Sequence, residues 1–134
     1  MVISHLDHLV LTVQDAGAAC QFYGTVLGME VVTYSNGRKA LKFGDQKINF
    51  HEAGREPEPK AARPTVGAAD LCFITETPLE QVLGELKEHQ VPVLSGIVER
   101  TGAMCRIRSV YLRDPDQNLI ELSNYVEHLP VRLI

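Results

Sequence analysis

Hydrophobic and polar positions along the chain predict a short strand, then a helix, then three short strands, and then the same series again. His5–Val13 (HLDHLVLTV) alternates like a strand and closes at Gln14-Asp15. Asp15 offers a helix N-cap, and Ala19, Phe22, Tyr23 and Val26 follow at i, i+3, i+4, i+7. Gly28 then suits the left-handed stop of a helix. Three β-like runs come next, Glu30–Ser35, Arg38–Phe43 and Gln46–His51, separated by Asn36-Gly37 and Gly44-Asp45. Asn-Gly between such runs is a strong hairpin signal.

Residues 53–67 form a polar break with Pro57, Pro59 and Pro64, long enough for a linker. Ala69–Thr75 (ADLCFIT) is strand-like, and Thr77-Pro78-Leu79-Glu80 reads as a capping box with proline at the first helical position. Leu79, Val82, Leu83 and Leu86 give a second helical stripe. Val91–Glu99, Arg106–Arg113 and Leu119–Tyr125 are the remaining strands, with the turn signal Asp114-Pro115-Asp116-Gln117-Asn118 before the last. The expectation is a single α+β domain of two paired β-α-β-β-β modules, about 4–52 and 68–126, with a linker at about 53–67 and a tail at 127–134.

The repeat groups polar residues. Alternation puts His8, Val10 and Thr12 on one face of the first strand, opposite its leucine and valine side. Aligning DHLVLTV with ADLCFIT sets His8 opposite Asp70, and aligning KINF with LIEL sets Asn49 opposite Glu121. His51 shares a face with Asn49. Related by a pseudo-twofold, these positions would converge, and His, Asp and Glu are ligands for Fe, Mn, Ni, Co or Zn. Each residue also has a plain structural reading: a strand-edge histidine, a strand-entry aspartate, a solvated glutamate.

Composition narrows the classes. The chain has 134 residues, enough to bury a core without staples. Thirteen Lys+Arg against 17 Asp+Glu give a net charge of −4, which argues against nucleic-acid binding. No apolar run is long enough for a membrane span, and the start shows no signal-peptide pattern. Three widely spaced cysteines, Cys20, Cys72 and Cys105, read as reduced thiols, with Cys20 and Cys72 as small hydrophobes in apolar segments. A cytoplasmic protein is expected. Arg38, Lys39, Lys42, Arg100, Arg106 and Arg108 could hold an anionic substrate, the pair Arg106 and Arg108 sharing one strand face, and Tyr111 is a candidate hydrogen-bond donor.

LDHLVLTV with its histidine, FYGTVLGMEVV at the helix end and DPDQNLIELSNY with its glutamate span nearly the whole chain in order. Together they resemble the vicinal oxygen chelate superfamily, which includes glyoxalase I, extradiol dioxygenases, fosfomycin-resistance transferases and bleomycin-binding proteins. KINFHEAG is similar to a subgroup of small glyoxalase-domain proteins, including enterobacterial virulence-associated ones described as lactoylglutathione lyase-like. The resemblance implies an open cup-shaped mixed sheet around a divalent metal, and a homodimer. It places metal ligands at His8, Asp70 and Glu121, with His51 as an additional candidate. Glu121 is the catalytic candidate; Asn49, Arg106, Arg108 and Tyr111 are the substrate-binding candidates. Two positions depart from the family pattern: Asp70 stands where a histidine is usual, and Asn49 where glyoxalase I has a glutamate.

The activity expected is a metal-dependent lyase or isomerase of the glyoxalase type, acting on a small oxygenated substrate such as a glutathione hemithioacetal of an α-oxoaldehyde. The alternatives are an extradiol-type dioxygenase and a non-catalytic small-molecule binder of the bleomycin-resistance type.

Overall fold

The computed structural model describes residues 1–126; the expected tail at 127–134 lies outside them. Contacts divide the chain into two compact units, Met1–Ala69 and Asp70–Ile134. Each is a β-α-β-β-β unit with one four-stranded mixed sheet, and the fold class is α+β.

The first unit holds β1 (His8–Val13), α1 (Ala16–Gln21), β2 (Glu30–Tyr34), β3 (Arg38–Phe43) and β4 (Gln46–Glu52). Its strand order is β1-β4-β3-β2, with β1 parallel to β4 and the other pairs antiparallel. The Asp15 side chain accepts from the amides of Gly17 (2.8 Å) and Ala18 (3.2 Å), as an N-cap must to satisfy orphan donors. α1 then widens into a π-helical turn, Phe22–Val26, and Gly28 leaves it with φ +72°. Asn36 and Gly37 take φ +60° and +81° in the β2–β3 connection, as the Asn-Gly signal requires. Ala19, Phe22 and Tyr23 bury their side chains with Leu11, Val13, Leu41, Ile48 and Phe50, so the core lies between helix and sheet.

The second unit repeats this plan with β5 (Asp70–Ile74), α2 (Leu79–Glu88), β6 (Ser95–Thr101), β7 (Arg106–Arg113) and β8 (Leu119–Tyr125), in the order β5-β8-β7-β6. Leu79, Val82 and Leu86 of α2 are buried, as are Val110, Leu112, Ile120 and Leu122 of the sheet.

Three local expectations are corrected. β1 begins at His8 rather than His5. β6 begins at Ser95 rather than Val91, since Pro92 has no amide to give a ladder. Finally, the Thr77 side chain does not cap α2. The carboxamide of Asn124 on β8 does: its Oδ1 accepts from the Leu79 amide (3.0 Å) while its Nδ2 donates to the carbonyls of Thr75 and Thr77 (2.9 Å each). Glu80, the expected reciprocal partner of Thr77, instead accepts from Arg108 at 2.9 Å.

Candidate functional site

In the first sheet, parallel pairing sets His8 level with Lys47, Val10 with Asn49 and Thr12 with His51. Strand alternation then puts His8, Val10, Asn49 and His51 on one face and the core residues Leu11, Val13, Ile48 and Phe50 on the other, beneath α1. His8 Nδ1 donates to Asp7 Oδ1 at 2.8 Å, and this bond holds the Asp7 carboxyl below its ordinary value. With Nδ1 engaged by a carboxylate, Nε2 is the ring atom left for a ligand, the arrangement seen when a carboxylate orients a metal-binding histidine.

His51 does not stand with His8. Four residues of strand rise, roughly 13 Å, separate their levels. Its surroundings differ too: partial burial, and next the nearby Arg38, push its pKa down, against a smaller upward pull from Glu56. His51 and Arg38 line a recess of about 180 Å³ with Phe50, Arg55 and Pro57. Asn49 is half-buried between Val10 of β1 and Ala40 of β3, and its Oδ1 is buried with no hydrogen-bond donor among the described residues.

The second sheet uses the same register. Cys72 is level with Glu121, as Val10 is with Asn49, and Asp70 precedes Cys72 by two as His8 precedes Val10. The alignment of His8 with Asp70 and of Asn49 with Glu121 is thus matched strand for strand. Asp70, Cys72, Glu121 and Tyr111 share the face turned away from α2, since Tyr111 is the β7 partner of Glu121. Glu121 is half-buried and has neither a cation nor a hydrogen-bond donor at its carboxylate among the described residues. Tyr111 accepts a hydrogen bond from Arg100 Nε (3.0 Å), whose guanidinium also lies over its ring.

Arg106 and Arg108 are on the opposite face from Glu121. They differ from Tyr111 by an odd number of residues, and they ion-pair with Glu99 (3.2 Å) and Glu80 (2.9 Å). The two arginines do share one strand face, as expected, and it is the face away from Glu121.

Sequence reasoning also missed residues. Cys72 is exposed rather than a core hydrophobe. Its Sγ meets Ser123 Oγ at 3.3 Å, which in turn bonds Ser109 Oγ at 2.7 Å. Burial pushes the Cys72 thiol up, and Glu121 and Asp70 push the same way against the Ser123 hydrogen bond. The signal was in plain view, because Asp70 and Cys72 must share a face. Lys47, level with His8 and two residues before Asn49, was equally accessible to alternation.

The sequence profile of the Glyoxalase/Bleomycin resistance protein/Dioxygenase superfamily matches residues 5–122. The chain belongs to this superfamily. It is 55% identical over 126 residues to virulence protein STM3117 of Salmonella typhimurium, covering 94% of this chain and 88% of that protein. The crystal structure of STM3117 superimposes with a TM-score of 0.92 over 94% of this chain and 100% of the other. Glyoxalase domain-containing protein RDO1 of Mycosarcoma maydis is 51% identical over 123 residues, 92% of this chain and 69% of that protein. Metallothiol transferase FosB of Staphylococcus epidermidis is 27% identical over 123 residues, 91% of this chain and 82% of that protein.

Members of the glyoxalase superfamily typically use a divalent metal, bind small molecules and often form dimers. The donors of this chain suit such an ion in kind: an imidazole already oriented by a carboxylate, and a half-buried glutamate lacking a counter-charge. Within either unit, no three His, Cys, Asp or Glu side chains among the described residues gather closely enough to hold an ion. No helix of the described residues is long and apolar enough to cross a membrane.

Proposed function

We propose that the chain is a metal-dependent lyase or isomerase of the glyoxalase type, acting on a small oxygenated substrate. The observation that carries this reading is Glu121. Its half-buried carboxylate meets neither a cation nor a hydrogen-bond donor among the described residues, so both oxygens are available to a divalent cation. By the family resemblance His8, Asp70 and Glu121 would be the ligands of such an ion, with Nε2 as the donor atom of His8. When bound, the ion polarises two adjacent oxygens of a substrate as a Lewis acid.

The substrate proposed is the glutathione hemithioacetal of an α-oxoaldehyde. Glu121 removes the C–H proton from its carbinol carbon and returns it to the neighbouring carbonyl carbon. The hydroxyl proton passes to the new alcohol oxygen, so a thioester forms with no oxidant or reductant. Asp7 holds the His8 ring in place throughout, and Tyr111, positioned by Arg100, offers a polar edge beside Glu121. Superfamily membership and the oriented His8 support the metal; the FosB relative, a metallothiol transferase by name, supports chemistry on a thiol-linked substrate.

The test is elemental analysis after loading with Ni, Zn, Fe, Mn or Co and desalting, followed by thioester formation from methylglyoxal and glutathione. Near-stoichiometric metal is expected in the wild type and not in His8→Ala or Glu121→Ala. Retained metal without thioester formation removes the lyase assignment, and absence of retained metal in the wild type removes the whole reading. Oxygen uptake with catechols by the Fe-loaded protein would replace it with the dioxygenase alternative.

A further inference from the structure

Lys47 and Asn49 are successive residues on the His8 face of the first sheet. The Lys47 ammonium lies 4.6 Å from the centroid of the Tyr34 ring. Lys47 is level with Lys42, and Tyr34 with Arg38; the row between those levels holds Asn49 and Ala40. The contact therefore runs diagonally across β3 at Ala40, the neighbour of Asn49. Two facts about the row fit this. Ala40 is 0% exposed although it points away from α1, and the Asn49 Oδ1 is buried without a donor among the described residues. A buried carboxamide oxygen left unpaired is unfavourable, because it forfeits its bonds to water. The cation–π contact holding the strap down is worth little at a part-exposed site, and an oxyanion is a stronger partner for an ammonium.

We propose that Lys47 and Asn49 form a ligand subsite, closed by Tyr34 in the free protein, whose occupant is a small α-hydroxy carboxylate. The carboxylate takes the Lys47 ammonium from the ring, and the hydroxyl donates to the Asn49 Oδ1 uncovered by that movement. Two residues of strand rise, roughly 7 Å, separate their Cα positions, and the four-carbon stem of Lys47, once off the ring, lets the ammonium meet a carboxylate whose hydroxyl reaches Oδ1. An acceptor left waiting beside a cation selects an anion that also carries a donor. The subsite lies wholly in the first unit and does not depend on the metal reading.

The probe is glycolate, titrated into the full chain and followed by NMR at the Lys47 ε-methylene protons, which the Tyr34 ring shields in the free protein. Saturable movement of these resonances toward unshielded values is expected. Acetate, which lacks the hydroxyl, should bind about tenfold more weakly, the effect of one lost hydrogen bond. Lys47→Gln should abolish binding, and Tyr34→Leu should tighten it by leaving the row open. The isosteric Asn49→Asp should repel glycolate, with the two-dimensional spectrum of the variant showing that the fold is retained.

Equal affinity for acetate and glycolate, or an unmoved Lys47 resonance, overturns the proposal. The titration is run on chelator-treated and on metal-loaded protein, and the same response is expected in both. A response that appears only with metal assigns glycolate to the ion and overturns the subsite. A response in chelator-treated protein that fails to load any metal sustains the subsite while removing the proposed function.

Discussion

Glu52 and Asn124 perform the same task at matching places in the two units. Each stands three residues beyond the residue its strand presents on the site face, Asn49 or Glu121, and each accepts the first amide of its unit's helix. The distances are 3.0 Å from Ala16 to Glu52 Oε2 and 3.0 Å from Leu79 to Asn124 Oδ1. Three residues along a strand reverse the face. One strand thus fixes the helix on one side while presenting chemistry on the other.

Their replacement should have unequal effects. Asn124→Ala removes the α2 cap and leaves the Thr75 and Thr77 carbonyls without their donor, costing about 2–3 kcal/mol. Glu52→Ala removes one cap bond and a weak ion pair with Arg55 at 3.8 Å, costing about 1 kcal/mol. Urea unfolding of the two variants beside the wild type measures the difference, and an equal cost would contradict the part assigned to the Thr75 and Thr77 bonds.

Cys72 should alkylate slowly for an exposed thiol. Its pKa lies above the ordinary cysteine value, raised first by burial and then by Glu121 and Asp70, so little thiolate is present near neutrality. Removing one of these charges lowers the pKa. In metal-free protein, Glu121→Gln should therefore accelerate iodoacetamide labelling of Cys72 several-fold at pH 8, read by mass spectrometry, while Cys105, buried in the second unit, stays slow.

His51 should titrate below 6.5, because partial burial and Arg38 both disfavour its charged form. Arg38→Gln should move the titration upward, and imidazole NMR shifts across pH 4–8 would record it. With the folded pKa depressed, any stability from His51 is present above about 6.5 and is lost as pH falls through the lower folded value. His51→Gln should accordingly flatten the stability profile in that interval.

The Asp114 carboxylate closes the turn before β8. Its Oδ1 accepts from the amides of Asp116 and Asn118 (2.9 Å each), and its Oδ2 accepts from Asn118 Nδ2 at 2.8 Å. Both Asp114 and Asn118 are buried. Asp114→Ala should cost about 3 kcal/mol in thermal or urea unfolding, since it strands three donors at once.

The element order and both repeats were legible because periodicity and turn chemistry agree along this chain. Arg38–Phe43, Arg106–Arg113 and Leu119–Tyr125 fall where alternation puts them, and the Asn36-Gly37 turn adopts the backbone that pair favours. The α2 cap was not legible: Asn124 is 47 residues from Thr77, and no local pattern reports a long-range donor. The site face was half legible. His8, Asn49, Asp70 and Glu121 occupy the matching positions that the repeat alignment gives. Arg108 and Tyr111 are both substrate-binding candidates by sequence, although residues three apart on one strand point to opposite faces. Only the β7–β8 register, with Tyr111 opposite Glu121, decides which of them belongs there.

The π-helical turn at Phe22–Val26 behaves as a one-residue insertion absorbed into a helix. Within it Gly24 comes so close to Val31 that an added Cβ would lie 2.9 Å from Cγ2, so the widened winding and the side-chain-free residue serve the same close approach. A second inserted residue, which the already widened turn could not absorb, would rotate everything downstream by roughly 100° about the helix axis. Val26 and Leu27 would swing with it, and Gly28 would no longer launch the chain toward β2. A residue count, rather than any single contact, sets the phase between this helix and the hairpin that follows.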